Sequence, residues 1–273
     1  MRILICGDVV GRAGRRAVCD ALPGLRRSLD LDFVVVNGEN AAGGFGITAK
    51  ICNQFLDAGA DAVTTGNHAW DQKDIVPHFD KEKRLLRPHN YPEGTPGSGV
   101  GVYEAQDGRR VAVLHFMGLL FMPSLDDPFA GVDRAMLNRK MGGDNDLAAI
   151  VVDFHAEATS EKMAFGHMLD GRVSTVVGTH SHVPTADCQV LPGGTGYMSD
   201  IGMCGDYDSV IGMKKEGSIH RFRSKLPGPR LEAAGGEATL CAVLVETDDA
   251  TGLARSIEPV RIGGRLAPAM PTR

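Results

Sequence analysis

Seven short apolar runs, each closed by turn residues, constrain most strongly what this chain can fold into. They are Ile3–Cys6, Phe33–Val36, Ala62–Thr65, Val111–Phe116, Ala149–Phe154, Val173–Val177 and Leu240–Val245. They are rich in β-branched residues and lack strict apolar/polar alternation, which suits strands buried on both faces. The first three begin about 30 residues apart, and helix-period stretches follow them at Arg12–Ser28, Thr48–Ala58 and Gln72–Phe79. Thr48 is placed to cap a helix start and Gly59 to end the same helix. Strand–helix–strand units of this length predict a largely parallel sheet. The second half is less regular. Residues 118–146 read as a long loop with one helix near Ala130–Met141, 183–205 as turn-rich, and 224–236 as an exposed loop. Leu240–Thr247 and Arg255–Ile262 read as a closing strand pair. No repeat or linker interrupts the chain, so residues 1–273 are expected to form a single domain.

Composition narrows the function classes. With 29 Lys and Arg against 34 Asp and Glu, the net charge is −5, which argues against a nucleic-acid backbone as the main partner. The six cysteines are dispersed without a CxxC, the usage of buried free thiols in a reducing compartment. No apolar run approaches the ~20 residues of a membrane span, and the N-terminus lacks a signal-peptide pattern. A cytoplasmic protein without a membrane partner is therefore expected, with a homo-oligomer as its ordinary state. Glycine reaches 35 of 273 residues, well above the background of about 7%.

The polar residues fall at strand ends. Asp8 follows the first run, Glu39 and Asn40 the second, Asn67 and His68 the third; His155 ends the fifth, and His180 and His182 follow the sixth. In open α/β sheets the ligand site lies beyond the carboxyl ends of the strands, so these residues converge on one rim. Carboxylate, carboxamide and imidazole without thiolate suit Mn, Fe or Zn. One carboxylate can bridge two cations about 3.5–4 Å apart. If extended, His180-Ser181-His182 sends both imidazoles to one side. The glycine spacing after the first strand is GxxxGxxG with no GK[ST], which excludes a dinucleotide fingerprint and a P-loop. No GxSxG or Cys/His arrangement supplies another nucleophile.

Read in order, GD (7–8), GEN (38–40), GNH (66–68), His155 and GTHSH (178–182) resemble the motifs of the calcineurin-like metallophosphoesterases. Three positions depart from that superfamily: Val10 stands for the His of DxH, GEN for GDxxD, and Ala69 for the acid after GNH. Together with GDVVG, NGENAAGGFGIT, TTGNHAWD and GTHSHVPTAD, these departures resemble a small bacterial branch described as 2′,3′-cyclic-nucleotide 2′-phosphodiesterases.

The resemblance implies an α/β fold, a two-sheet β-sandwich flanked by helices in four αββα layers. It implies two divalent or trivalent metal ions, Fe or Mn first and Zn as a further candidate. Asp8, Glu39, Asn40 and His182 would hold the first, with Asn40 compensating for Val10 and Glu39 bridging. Asn67, His155 and His180 would complete the second. By the same resemblance a metal-bridging hydroxide attacks the phosphodiester, and His68 is the general acid for the departing 2′-oxygen. The implied partner is a small-molecule phosphodiester such as a 2′,3′-cyclic nucleotide, with RNA ends as a further candidate. Two alternatives stay open: another phosphoesterase (a phosphomonoesterase or nuclease), and a nucleotide-sensing regulatory module with incidental turnover. Arg221, Arg223, Lys225 and Arg230 read as a solvated face, with RNA contact as the alternative. Phe45 is a candidate to stack on a base, and His115 to support the site or fill the core.

Overall fold

The computed structural model describes residues 1–143, 147–226, 228 and 230–271. Its strands are β1 (Arg2–Cys6), β2 (Asp8–Val9), β3 (Phe33–Asn37), β4 (Ala62–Thr64), β5 (Leu85–Leu86), β6 (Val100–Glu104) and β7 (Arg110–Met117). Then follow β8 (Ala149–His155), β9 (Thr175–Thr179), β10 (Gln189–Val190), β11 (Gly196–Met198), β12 (Met203–Asp206), β13 (Ala238–Thr247) and β14 (Ala254–Ile262). The helices are α1 (Gly11–Ser28), α2 (Ala49–Asp57), α3 (Val76–Lys81), α4 (Pro128–Met136), α5 (Thr159–Met168) and α6 (Lys215–Ser224).

Two sheets stack face to face. One runs β2-β12-β13-β1-β3-β4-β5, with β14 beside β13; the other runs β10-β11-β9-β8-β7-β6. The alternation of side chains along a strand explains the layers. On β1, Ile3 and Ile5 face inward with Phe33, Val35, Val243 and Val245 to meet Val113, Val151 and Val177 of the second sheet. Leu4 and Cys6 face outward and pack with Val18 and Leu22 of α1 and Phe55 of α2. On the far side, Leu114, Phe116 and Phe154 pack against Val132 of α4 and Phe165 of α5. The four-layer αββα expectation is thus met. Because every core strand is covered on both faces, apolar runs without alternation were the right signal.

The parallel expectation holds for the middle of each sheet. β1-β3-β4-β5 and β7-β8-β9-β11 pair in parallel. Antiparallel pairs flank them, through β1-β13-β14 in one sheet and β6-β7 in the other, while the edge pair β2-β12 is parallel. Thr48 caps α2 by accepting from Ile51 N at 3.2 Å, and Gly59 follows it with φ +109°. All six cysteines are free thiols.

Several elements were not anticipated. Helix α5 turns Glu161 and Lys162 inward, and α6 buries only Ser218, so neither shows the apolar stripe by which a helix is read. Short β10, β11 and β12 occupy the expected turn-rich 183–205 stretch. Residues 144–146 of the expected long loop, and Pro227 and Pro229 of the expected exposed loop, lie outside the described residues. Among the described residues, no helix is long and apolar enough to cross a membrane.

Candidate metal centre

The carboxyl ends of β3, β4, β8 and β9 meet beside β2, and the predicted polar residues gather there. Around His155 Nε2 stand Glu39 Oε2 at 2.7 Å, Asn67 Oδ1 at 3.1 Å and His180 Nδ1 at 3.1 Å. Ligand atoms of Glu39, His155 and His180 all lie within 4.8 Å of one another. Asp8 Oδ1 lies 3.7 Å from His155 Nδ1 and 3.9 Å from His182 Nε2, while its Oδ2 accepts from His180 N at 3.0 Å. Asn40 follows Glu39 and donates from Nδ2 to Gly44 O at 3.1 Å. His68 joins through its backbone, whose N–H donates to Glu39 Oε1 at 2.8 Å; its ring Nδ1 pairs instead with Asp71 Oδ2 at 2.8 Å.

Backbone geometry makes this crowding possible. A Cβ on Gly66 would come within 2.4 Å of His155 Nε2 and 2.6 Å of Glu39 Oε1, inside the donor cluster itself. One expectation is corrected here. His180-Ser181-His182 is not extended, since β9 stops at Thr179 and His180 and His182 have φ of 95° and 65°. Both imidazoles reach the centre through left-handed backbone, a conformation that non-glycine residues hold at a cost of about 1–3 kcal/mol.

Each imidazole spends one nitrogen on an anchor. His155 Nδ1 bonds Thr179 Oγ1 at 2.8 Å, and that hydroxyl in turn donates to Asp153 Oδ1 at 2.7 Å. The ring must therefore be the donor to Thr179. His180 Nε2 meets Glu157 Oε2 at 3.2 Å, and His182 Nδ1 meets Ile211 O at 2.8 Å. An imidazole anchored by its N–H has its other nitrogen's lone pair free for a cation.

Electrostatics point the same way. Burial pushes the Asp8 carboxyl up to about 7, with Glu39 and Asp200 adding to the rise against His182 and His155. Burial also disfavours the Glu39 charge, but His155 beside it holds this carboxyl below the usual range. Against burial, Glu39 and then Asp8 raise His155 to about 9, whereas burial and the His155 charge lower His180 to about 3. Two buried acceptors, Asp8 Oδ1 and Asn40 Oδ1, have no hydrogen-bond partner. Leaving such atoms unpaired costs about 1–3 kcal/mol each. The donor set therefore fits metal ions of the Mn, Fe or Zn kind.

A family profile described as YmdB-like protein matches residues 4–260. The chain belongs to the YmdB-like protein family. A curated relative from Bacillus subtilis (strain 168), named 2′,3′-cyclic-nucleotide 2′-phosphodiesterase, is 47% identical over 262 residues, covering 96% of this chain and 97% of its own. A crystal structure of a hypothetical protein from Thermus thermophilus superposes with TM-score 0.89 at 42% identity, covering 97% of this chain and 100% of that one. That of a novel phosphatase from Mycoplasma pneumoniae gives 0.88 at 34% identity, covering 96% and 93%. The family branch and the enzyme class expected from the sequence are thereby borne out for this YmdB-like chain.

Sequence reasoning missed the support beneath the centre. Buried Asp153 accepts from Thr179 Oγ1, from Thr64 Oγ1 at 2.6 Å and from Asn37 Nδ2 at 3.1 Å. His115 Nδ1 lies 3.5 Å from the same carboxylate, the supporting position left open for it. Behind the His180–His182 turn, buried Lys162 donates to Asp200 Oδ2 at 2.9 Å and Ser181 Oγ at 3.1 Å. A charge at Asp153 inside the apolar Ala149–Phe154 run was a legible signal.

Proposed function

We propose that this chain is a metal-dependent phosphodiesterase that hydrolyses 2′,3′-cyclic nucleotides. Asp8, Glu39, Asn40 and His182 would hold one ion, and Asn67, His155 and His180 a second, with Glu39 shared between them. The observation that carries this reading is the anchoring of all three imidazoles, each with one nitrogen committed to an anchor and the other turned into the donor cluster. Ions of the Fe or Mn kind, when bound, would neutralise the charge of a phosphodiester and lower the pKa of water towards neutrality.

The chain's own residues do the rest. Gly66 keeps the cradle open beside His155 and Glu39. His68 gives a proton to the departing 2′-oxygen as the P–O2′ bond breaks, and water supplies the new P–OH of a 3′-phosphate. Its Nδ1 stays bonded to Asp71 during that step, so Nε2 is the nitrogen that gives up the proton. The apolar layer shared by the two sheets supports reading residues 1–273 as one domain.

The test is a panel of 2′,3′-cyclic, 3′,5′-cyclic and aryl phosphate substrates, assayed with Mn²⁺ and Fe²⁺ under reducing conditions. Preference for the 2′,3′-cyclic class with a 3′-phosphate product is expected. Turnover of aryl monoesters alone would replace this reading with a phosphomonoesterase.

A further inference from the structure

One wall of the centre supplies no metal ligand and no proton. Residues 210–226, 228, 230 and 231, which carry α6, touch the centre at three points. Ile211 O accepts from His182. Met213 packs against Gly44, where a Cβ would come within 2.7 Å of Met213 Cε, and Gly44 O accepts from Asn40. The Arg230 guanidinium lies 5.6 Å over the Phe45 ring, which meets the His68 ring edge-on at 5.3 Å. Beyond these contacts the same segment lines a cavity of about 740 Å³, with Ile211, Met213, Arg221, Phe222, Lys225 and Leu231 among its walls.

The chemistry of this ledge is specific. Phe222 on α6 is 74% exposed, and Leu226 just past its end is 66% exposed. Lys214 and Lys215 are paired with Glu232 and Asp208. Among the described residues, Arg221, Arg223, Lys225 and Arg230 have no carboxylate partner. Lys225 Nζ instead sits 5.9 Å from the Phe222 ring centroid. Four unpaired cations within ten residues of a chain with net charge −5 concentrate positive potential beside the centre. An exposed ring between cations is what single-stranded nucleic acid recognises, with bases on the ring and phosphates on the charges. A cyclic mononucleotide has one phosphate, which the centre takes; the ledge calls for further phosphates and bases.

We infer that the ledge of Ile211, Met213, Arg221, Phe222, Lys225 and Arg230 binds the RNA chain 5′ of the cleaved group, so that the substrate class is an oligoribonucleotide ending in a 2′,3′-cyclic phosphate. The fate of that end rests on the phosphodiesterase reading; binding by the ledge does not.

Two measurements separate them. The first compares kcat/KM of the metal-loaded enzyme on a 2′,3′-cyclic mononucleotide and on a short oligoribonucleotide with the same end. The second follows binding of a labelled oligoribonucleotide ending in a 3′-phosphate by fluorescence anisotropy over a salt series. Wild type is expected to favour the oligonucleotide about tenfold, as one stacked base supplies. Phe222→Ala is expected to erase that ratio. Arg221→Ala/Lys225→Ala should do the same and reduce the salt slope of binding by about 1.4, two single-strand contacts at about 0.7 each. Equal efficiency on both substrates, with no salt-dependent oligonucleotide binding, overturns the ledge and leaves the phosphodiesterase reading intact. Ledge-dependent binding without turnover of either substrate supports the ledge and overturns that reading. A wild-type dimer that Phe222→Ala converts to monomer, without any oligonucleotide preference, assigns the surface to a second copy and overturns the RNA inference.

Discussion

The first sheet brings Asp8, Glu39, Asn40 and Asn67 to the rim on tight turns, whereas the second brings His155, His180 and His182 on a scaffold of buried polar groups. The difference follows from the side chains. A carboxylate or carboxamide is short and offers oxygen in almost any orientation, so backbone placement suffices; Gly66 shows how closely the turn must pass. An imidazole has a second nitrogen that must be satisfied and whose partner fixes the tautomer. Thr179, Asp153, Glu157 and the Ile211 carbonyl supply those partners. One half of the centre is therefore placed by chain geometry and the other by a relay of hydrogen bonds.

The largest effect expected belongs to Glu39, the residue where the halves meet. Its Oε2 touches His155 of the second sheet and its Oε1 accepts from the His68 turn of the first. Glu39→Gln should lose metal and activity together, with turnover falling by about 10⁴-fold or more, as for groups that act as a unit. Metal analysis alongside the assay checks this, and a metallated, active variant would break the comparison at its hinge. Next comes His68→Ala, which tests whether the first-sheet turn carries chemistry as well as ligands. Metal content should persist while turnover of substrates with poor leaving groups falls about 10²–10⁴-fold. Undiminished turnover would leave His68 as a surface residue paired with Asp71.

Smaller again, and aimed at the second sheet, is Thr179→Val. It removes the hydroxyl that accepts from His155 and donates to Asp153. Loss of such an outer partner typically costs about 10–100-fold in metal affinity, and Thr179→Ser should restore it. Titration with Mn²⁺ checks both variants. Wild-type affinity in Thr179→Val would mean that the scaffold only packs the core.

The same difference explains what was legible in the sequence. The first-sheet ligands follow β1, β3 and β4 by two or three residues, so strand ends and turns were enough to collect them. His155, His180 and His182 were collected at strand ends too, but His180–His182 does not continue the strand, because the turn is built from left-handed backbone. The scaffold was mostly hidden. Asp153 draws its partners Asn37, Thr64 and Thr179 from three other strands, and no local pattern joins them. Helix α5 was hidden for a related reason: Glu161 accepts from Leu119 N at 2.8 Å and Lys162 reaches Asp200, so charged residues share its buried face with Phe165.

The smallest effect expected is that of Ser181→Ala, and it asks how far the scaffold extends. Ser181 Oγ accepts from Lys162 Nζ, but Lys162 keeps Asp200 when the hydroxyl is gone. The turn itself is held by the Ser181 backbone N–H, which donates to Asp200 Oδ2 at 2.9 Å and survives the substitution. The cost should therefore be one hydrogen bond, about 1 kcal/mol, or roughly 2–4 °C in Tm for a chain of this size. Removing Lys162 itself would leave Asp200 buried without its counter-ion, a loss of about 3–5 kcal/mol. Metal affinity of Ser181→Ala should stay within about twofold of wild type, well inside the 10–100-fold expected for a direct partner of a ligand. Calorimetric unfolding and a Mn²⁺ titration of the same sample read both quantities. If affinity instead falls as far as in Thr179→Val, the turn depends on its side chain, and the relay that positions the second-sheet imidazoles runs through Ser181 to the Lys162–Asp200 pair.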